Sequence, residues 1–213
     1  MKLSSLSFAD QACIPELYAF GKIDPKSHVA LADNLNPHLV WEDAPAGVKS
    51  FVMICHDPDA PTKADDVNQE DREVPADLPR TDFYHWVLID IGVDKNEIAE
   101  GEYCAEVVPR GKGGPLTPHG TRQGINDYTS WFAGDGDMAG EYFGYDGPCP
   151  PWNDTMLHRY VFTLYALDVP SLPVEGTFTG PQVLDAIKGH VLGEASLTGT
   201  YTLNPDLAPK QVG

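Results

Sequence analysis

A chain of 213 residues with 32 Asp and Glu against 14 Lys and Arg has a formal net charge of −18, which speaks against a nucleic-acid partner because counterion release needs a basic face. The same charge repels anionic membrane surfaces at long range, so any anionic ligand must be caught at short range in a local pocket. With 42% apolar and 22% charged residues the composition is globular, and the length suits one domain over 1–213. No apolar run approaches the roughly 18 residues of a membrane span, so stable membrane insertion is not expected. The N-terminus lacks the apolar stretch of a secretory signal, and Cys13, Cys55, Cys104 and Cys149 form no CxxC pair. Reduced thiols and a cytoplasmic location are the resulting expectations.

In chain order, 38–42 is a weak strand candidate and 50–56, Ser-Phe-Val-Met-Ile-Cys-His, a strong one. Residues 62–80 hold six acids and almost no apolar anchor, and read as an exposed acidic excursion. Residues 83–91 form the next strand. The stretch 94–107 sets Ile98, Ala99 and Val107 among acids and reads as a solvated helix or loop. Glycine then concentrates in 111–147, a length of loop that is usually functional or mobile in a compact domain. A third strand is expected over 159–168. A helix follows, capped by Thr179, with Val183, Leu184, Ile187 and Val191 on one face and Gly193 placed to stop it. A weak strand at 197–203 closes the pattern. Strands separated by loops favour an antiparallel sheet over repeated βαβ units.

Phosphate-binding, dinucleotide-binding, nucleophile-elbow and HExxH motifs are all absent. The segment Asp135-Gly-Asp137-Met-Ala-Gly140 imitates part of a calcium loop, but Ala139 and Asp146 occupy ligand positions that need other residues. Chemistry concentrates at strand ends instead. His56-Asp57-Pro58-Asp59-Ala60-Pro61 closes the first strong strand with the Asp57 and Asp59 carboxylates on a stiff, proline-rich turn. His85 interrupts an apolar strand, and Pro150-Pro151 leads through Trp152, Asn153 and Asp154 to His158-Arg159-Tyr160 at the start of another. Three strands can thus bring Asp57, His85 and His158 together, where histidine and carboxylate need each other if they are buried.

Asp57-Pro-Asp59-Ala-Pro61, Tyr84-His85-Trp86-Val87, Tyr145-Asp-Gly-Pro-Cys149-Pro150-Pro151 and His158-Arg-Tyr160-Val-Phe-Thr-Leu, in that order, resemble the phosphatidylethanolamine-binding protein family, most closely its bacterial Raf kinase inhibitor-like branch. The resemblance covers about residues 5–203. It implies a mainly β fold, an antiparallel β-sandwich with a few peripheral helices including one near 180–193. It also implies a small anion pocket whose ligand-binding residues are Asp57, Asp59, His85, His158 and Tyr160, with Pro61, Pro150 and Pro151 at the rim. Departures from the family are loop insertions near 64–80 and 111–145, which flank the expected pocket mouth and would filter the anions that reach it.

In such a pocket Asp57 would orient one imidazole while other ring N–H groups and the Tyr160 hydroxyl point at a phosphate-like oxyanion. The leading expectation is a non-catalytic binding or regulatory protein with no cofactor, taking a phosphate-containing small molecule or a phospholipid or phosphorylated head group. Two alternatives stand beside it: a metal- or His/Asp-dependent hydrolase using the same pocket, and a protease inhibitor or interaction module acting through the loops. A kinase or protease partner and a homodimer follow from the resemblance only. Cys149, between two prolines, reads as a small buried hydrophobe in preference to a redox thiol.

Overall fold

The computed structural model describes residues 1–209. Its main sheet has five antiparallel strands: β5 (Ser50–Pro61), β6 (Arg80–Ile91), β9 (Arg122–Gln123), β11 (His158–Leu167) and β12 (Val191–Tyr201). Their spatial order is β12-β11-β5-β6-β9. The central strands read as unbroken apolar runs because both faces of the sheet are covered. Phe51, Met53 and Cys55 pack on one side with Trp86, Leu88 and Phe162, beneath a smaller sheet of β1 (Lys2–Ser4), β4 (Leu39–Glu42) and β7 (Glu97–Ile98) that supplies Leu39, Trp41 and Ile98. Val52 and Ile54 face the other way, with Val87 and Ile89, against Val183 and Ile187 of helix α2 (Gly180–Ala186). The result is an antiparallel sandwich with a helix outside it.

Peripheral elements gather at one end of this core. A hairpin of β2 (Gly21–Asp24) and β3 (His28–Leu31) pairs only with itself among the described residues. The glycine-rich stretch is not one loop: it holds β8 (Gly111–Lys112), the short helix α1 (Tyr128–Trp131) and β10 (Glu141–Tyr142), the last pairing with β8 in parallel.

Four expectations change. The 180–193 helix ends at Ala186, and Gly189, with φ +82°, turns the chain so that Val191 already begins β12. Its start is as read: the Thr179 N–H donates to Gln182 Oε1 at 2.9 Å, and Gly180 leaves room for the Tyr84 ring, which a Cβ would approach to 2.2 Å. The 94–107 stretch is not helical, because Ile98 is wholly buried in β7 beside Leu39. The acidic segment 62–80 is anchored after all, by buried Val67 and Val74 and by Asn153. Asn153 Nδ2 donates to the carbonyls of Asp66, Gln69 and Arg72, and its Oδ1 accepts the Asn68 N–H at 2.9 Å. Finally, His56–Pro61 is no terminal turn but the continuation of β5.

That last change positions the functional residues. In the β5–β6 ladder Cys55 pairs with Trp86 but His56 pairs with Tyr84, so His85 is an extra, bulged residue. A bulge shifts every later side chain to the opposite face. Tyr84 therefore stays with the α2 side, and His85 turns toward the side of Trp86. A second irregularity between Asp57 and Ala60 falls on β5 at Pro58-Asp59. It keeps Asp57 in phase with Phe51, Met53 and Cys55 while turning Asp59 away.

Candidate functional site

At this end of the sheet a cavity of about 300 Å³ opens, lined by Asp57, His85, His158 and Tyr160 at its floor and by Pro61, Pro150 and Pro151 at its edge. His158, Tyr160, Phe162 and Leu164 alternate onto the same face of β11, which is why the polar pair continues the line of the core. Asp59 does not belong to the cavity. Its carboxylate binds Arg159 through Oδ1 to Nη2 at 2.7 Å and Oδ2 to Nε at 2.8 Å, and accepts the Arg159 N–H as well. Burial raises the Asp59 pKa, but the Arg159 bonds outweigh it and hold the carboxyl below its ordinary value.

The two histidines are held differently. His158 Nδ1 donates to Asp57 Oδ2 at 2.7 Å, and its Nε2 donates to Asp154 Oδ2 at 3.0 Å. Both ring nitrogens face carboxylates, so the ring is an imidazolium. Burial pulls its pKa down, yet the bonds to Asp154 and Asp57 win and lift it to about 9. Asp154 in turn takes Arg80 Nη1 at 2.6 Å and Nη2 at 3.1 Å. Burial would raise the Asp154 pKa, and the His158 and Arg80 bonds bring it below the ordinary carboxylate value. The buried chain Asp57–His158–Asp154–Arg80 is thus balanced in charge. The expectation that both imidazoles donate to an anion is therefore corrected: His158 has no N–H left to give.

His85 Nδ1 lies 2.8 Å from the carbonyl oxygen of Asp146, an atom that only accepts, so the ring proton sits on Nδ1. Burial lowers the His85 pKa below its ordinary value, so the ring is neutral at pH 7 and Nε2 carries a lone pair. No hydrogen bond within the protein uses Nε2 among the described residues. Tyr160 is 1% exposed, and its hydroxyl is buried without a partner. Burial holds its pKa well above the usual range, so it remains a donor. The ring of Tyr160 meets that of His85 edge-on, with centroids 5.1 Å apart. The floor therefore holds, on two rings in contact, a donor and an acceptor that are without a partner among the described residues.

Several supporting residues escaped the sequence reading. Asp146, fully buried, accepts from Asn34 Nδ2 at 2.8 Å, Asn126 Nδ2 at 2.8 Å and Lys112 Nζ at 2.9 Å, which fixes the carbonyl that orients His85. Asp154 sits four residues before His158, a spacing that could have suggested it. Arg80, the cation that closes the acidic run, carried a weaker signal. The partners of Asp146 come from distant segments and carried none.

Both inserted segments reach the mouth. The 62–80 segment contributes Val67 and Asn68, and 111–145 contributes Trp131, Phe132 and Met138. None of the acids of 62–80 lines the cavity, so the expected acidic filter is corrected to an apolar collar. Cys149 lines the wall, and burial pushes its thiol pKa up to about 12, which leaves no thiolate at neutral pH. Asp135 Oδ1 accepts the N–H groups of Asp137 and Met138 at 2.8 and 2.9 Å, so the calcium-like segment is a capped turn. Among the described residues no three His, Cys, Asp or Glu side chains are placed to hold a metal ion. None of the described helices is long and apolar enough to cross a membrane.

Comparison with known proteins agrees with the sandwich. The E. coli K12 protein YbhB is 31% identical over 204 residues, covering 95% of this chain and 100% of YbhB. An uncharacterised Methanothermobacter thermautotrophicus relative is 34% identical over 201 residues, covering 94% of this chain and 98% of its own length. A solved phosphatidylethanolamine-binding protein homologue from Chlamydia trachomatis superposes with a TM-score of 0.62 at 28% identity, over 94% of this chain and 95% of that one. E. coli YbcL shares the fold, with a TM-score of 0.67 at 24% identity over 94% and 97% of the two chains. The family described as phosphatidylethanolamine-binding protein matches residues 4–202, the span that runs from the end of β1 through β12 and holds every residue lining the cavity. This chain belongs to that family.

Proposed function

We propose that the protein is a non-catalytic binding protein whose cavity takes a phosphate-like group at the Tyr160–His85 floor. The observation that carries this reading is the paired vacancy of hydrogen-bonding capacity there. A buried hydroxyl without a partner is costly, and a monoprotonated phosphate, P–OH with P–O⁻, answers both groups at once. Its hydroxyl donates to His85 Nε2 while an oxyanion accepts from Tyr160. The same contacts form if His85 is protonated and the phosphate is not, so binding one phosphate brings one proton to the site in either description.

The charge-balanced chain below does a different job. His158 is held by two carboxylates, so Asp57 keeps its charge compensated and does not repel the ligand as a bare carboxylate would. A hydrolase reading finds less support. His158 has no free nitrogen to act as a base or ligand, and the Cys149 thiol that shares the cavity with His85 is kept protonated by burial.

Titration calorimetry with inorganic phosphate at pH 6 tests the proposal on wild type, His85→Ala and Tyr160→Phe. We expect at least a tenfold weaker affinity for each variant, in line with about 1.4 kcal/mol or more for a lost hydrogen bond to a charged group. Equal affinities in all three proteins would remove the floor from the binding site.

A further inference from the structure

We propose that the physiological ligand is an organic phosphate monoester carrying a compact apolar substituent, and that inorganic phosphate fills only the lower part of the cavity. This rests on the phosphate-floor reading above and adds what lies beyond the phosphate.

Apart from Asn68 and Thr81, the polar side chains of the cavity are gathered at the floor. Above it the walls are Phe20, Phe83, Tyr128, Phe132, Met138 and Leu31. Four of these rings are locked against one another: Phe20 stacks on Tyr128 at 4.6 Å, Tyr128 on Phe132 at 5.5 Å, and Phe83 meets Tyr128 edge-on at 5.2 Å. The wall is consequently preformed and does not need to assemble around a guest. Tyr128 spends its hydroxyl on the Gly147 carbonyl at 2.8 Å, so it too presents only an apolar face.

The lip points the same way. Leu31 is 55% exposed and Trp131 is 48% exposed, and both line the cavity. Large apolar side chains left in water at the entrance of a pocket gain their burial when a ligand enters. They come from separate elements, the β2–β3 hairpin and helix α1, so the collar spans the opening.

Size sets the class. At about 30 Å³ per water of liquid volume, the cavity of about 300 Å³ has room for roughly ten small-molecule atoms. A phosphate group uses about half of them, and a short alkyl chain of about six carbons or one phenyl ring takes the rest. A phosphate diester carries no P–OH to donate to His85 Nε2, so it binds at the floor only with His85 protonated, and its second substituent must share the same small cavity.

The test is an affinity series on the full chain at pH 6: inorganic phosphate, methyl, butyl, hexyl and dodecyl phosphate, and phenyl phosphate, each below its micelle concentration. Burial of a methylene is worth about fourfold in affinity. We expect affinity to rise by about two- to fourfold per carbon up to hexyl phosphate and then to level, with phenyl phosphate near hexyl phosphate. Trp131→Ala, at a half-exposed position outside the buried clusters, should weaken hexyl phosphate by three- to tenfold and flatten the series.

A flat series in which inorganic phosphate binds as well as hexyl phosphate would overturn the inference and leave the phosphate floor standing. Affinity still climbing at dodecyl phosphate would overturn the compact substituent in favour of a lipid chain leaving through the mouth. Failure of every member, inorganic phosphate included, would overturn the floor and this inference together.

Discussion

On the β5–β11 side of the cavity floor a histidine is clamped between Asp57 and Asp154, while on the β6 side another hangs from a single backbone carbonyl. Both rings are buried. The first is fixed as a cation with nothing left to offer a ligand, and the second is neutral with one nitrogen free. Burial alone favours the neutral form in both, so the difference is made by the number of carboxylates each ring touches. The clamped histidine is a structural part that also silences Asp57. The hanging one is the adjustable part.

The largest expected effect breaks the clamped side. Asp154→Ala leaves the Arg80 and His158 charges buried without their shared partner, which costs about 3–5 kcal/mol for a buried ion pair broken at one end. Urea denaturation should show a correspondingly lower midpoint. A loss below about 1 kcal/mol would mean that the chain Asp57–His158–Asp154–Arg80 contributes little.

The next effect is a pH dependence. His158 titrates at about 9 in the folded protein and near 6.5 unfolded, so the folded state binds the proton more tightly. Its contribution is fully present below pH 6.5 and is lost as pH rises through about 9, with a size of about 3 kcal/mol. Denaturation midpoints from pH 6 to 10 should fall in wild type and hardly change in His158→Asn, beyond whatever both lose in common. Parallel profiles would contradict the clamp.

The smallest effect concerns the mouth. Asn153→Ala removes the amide that holds three carbonyls of the 62–80 segment, at a cost of about 1–3 kcal/mol for buried groups left unpaired. Because the segment lies outside the main sheet, the loss should be local. Trypsin should cut after Lys63 or Arg72 at least several times faster in the variant, with the main unfolding transition nearly unmoved. Equal cleavage rates would show that the segment is held by Val67 and Val74 instead.

What the sequence revealed follows the same division. Three of the four long strands were legible because Phe51–Cys55, Trp86–Ile91 and Tyr160–Leu167 are dense in branched and aromatic residues, whose burial leaves a clear pattern, whereas the exposed first half of β12 leaves none. Asp57, His85 and His158 were legible because a polar residue within or at the end of such a run has to be explained, whereas Tyr160 was named only by the family resemblance. The bulge at His85 was not legible, since a slip of one residue changes no composition. Asp59 was misassigned for the same reason: only the irregularity at Pro58-Asp59 turns it toward Arg159. The Asp146 network and the Asn153 clamp join residues far apart in the chain, and single-residue patterns carry no record of such pairings. The acidic segment misled because its acids dominate composition while two valines and one distant asparagine decide where it sits.

The hanging histidine bears the central claim, and sulfate is the sharpest probe of it because sulfate does not itself titrate near neutrality. Its affinity should be measured by calorimetry from pH 5 to pH 8. With a His85 pKa below the ordinary 6.5, the ring must gain a proton to donate to sulfate. Affinity should therefore rise as pH falls through that range, approaching tenfold per pH unit above the pKa, with one proton taken up per sulfate bound. Affinity that is flat across the range, or unchanged in His85→Asn, would contradict the account.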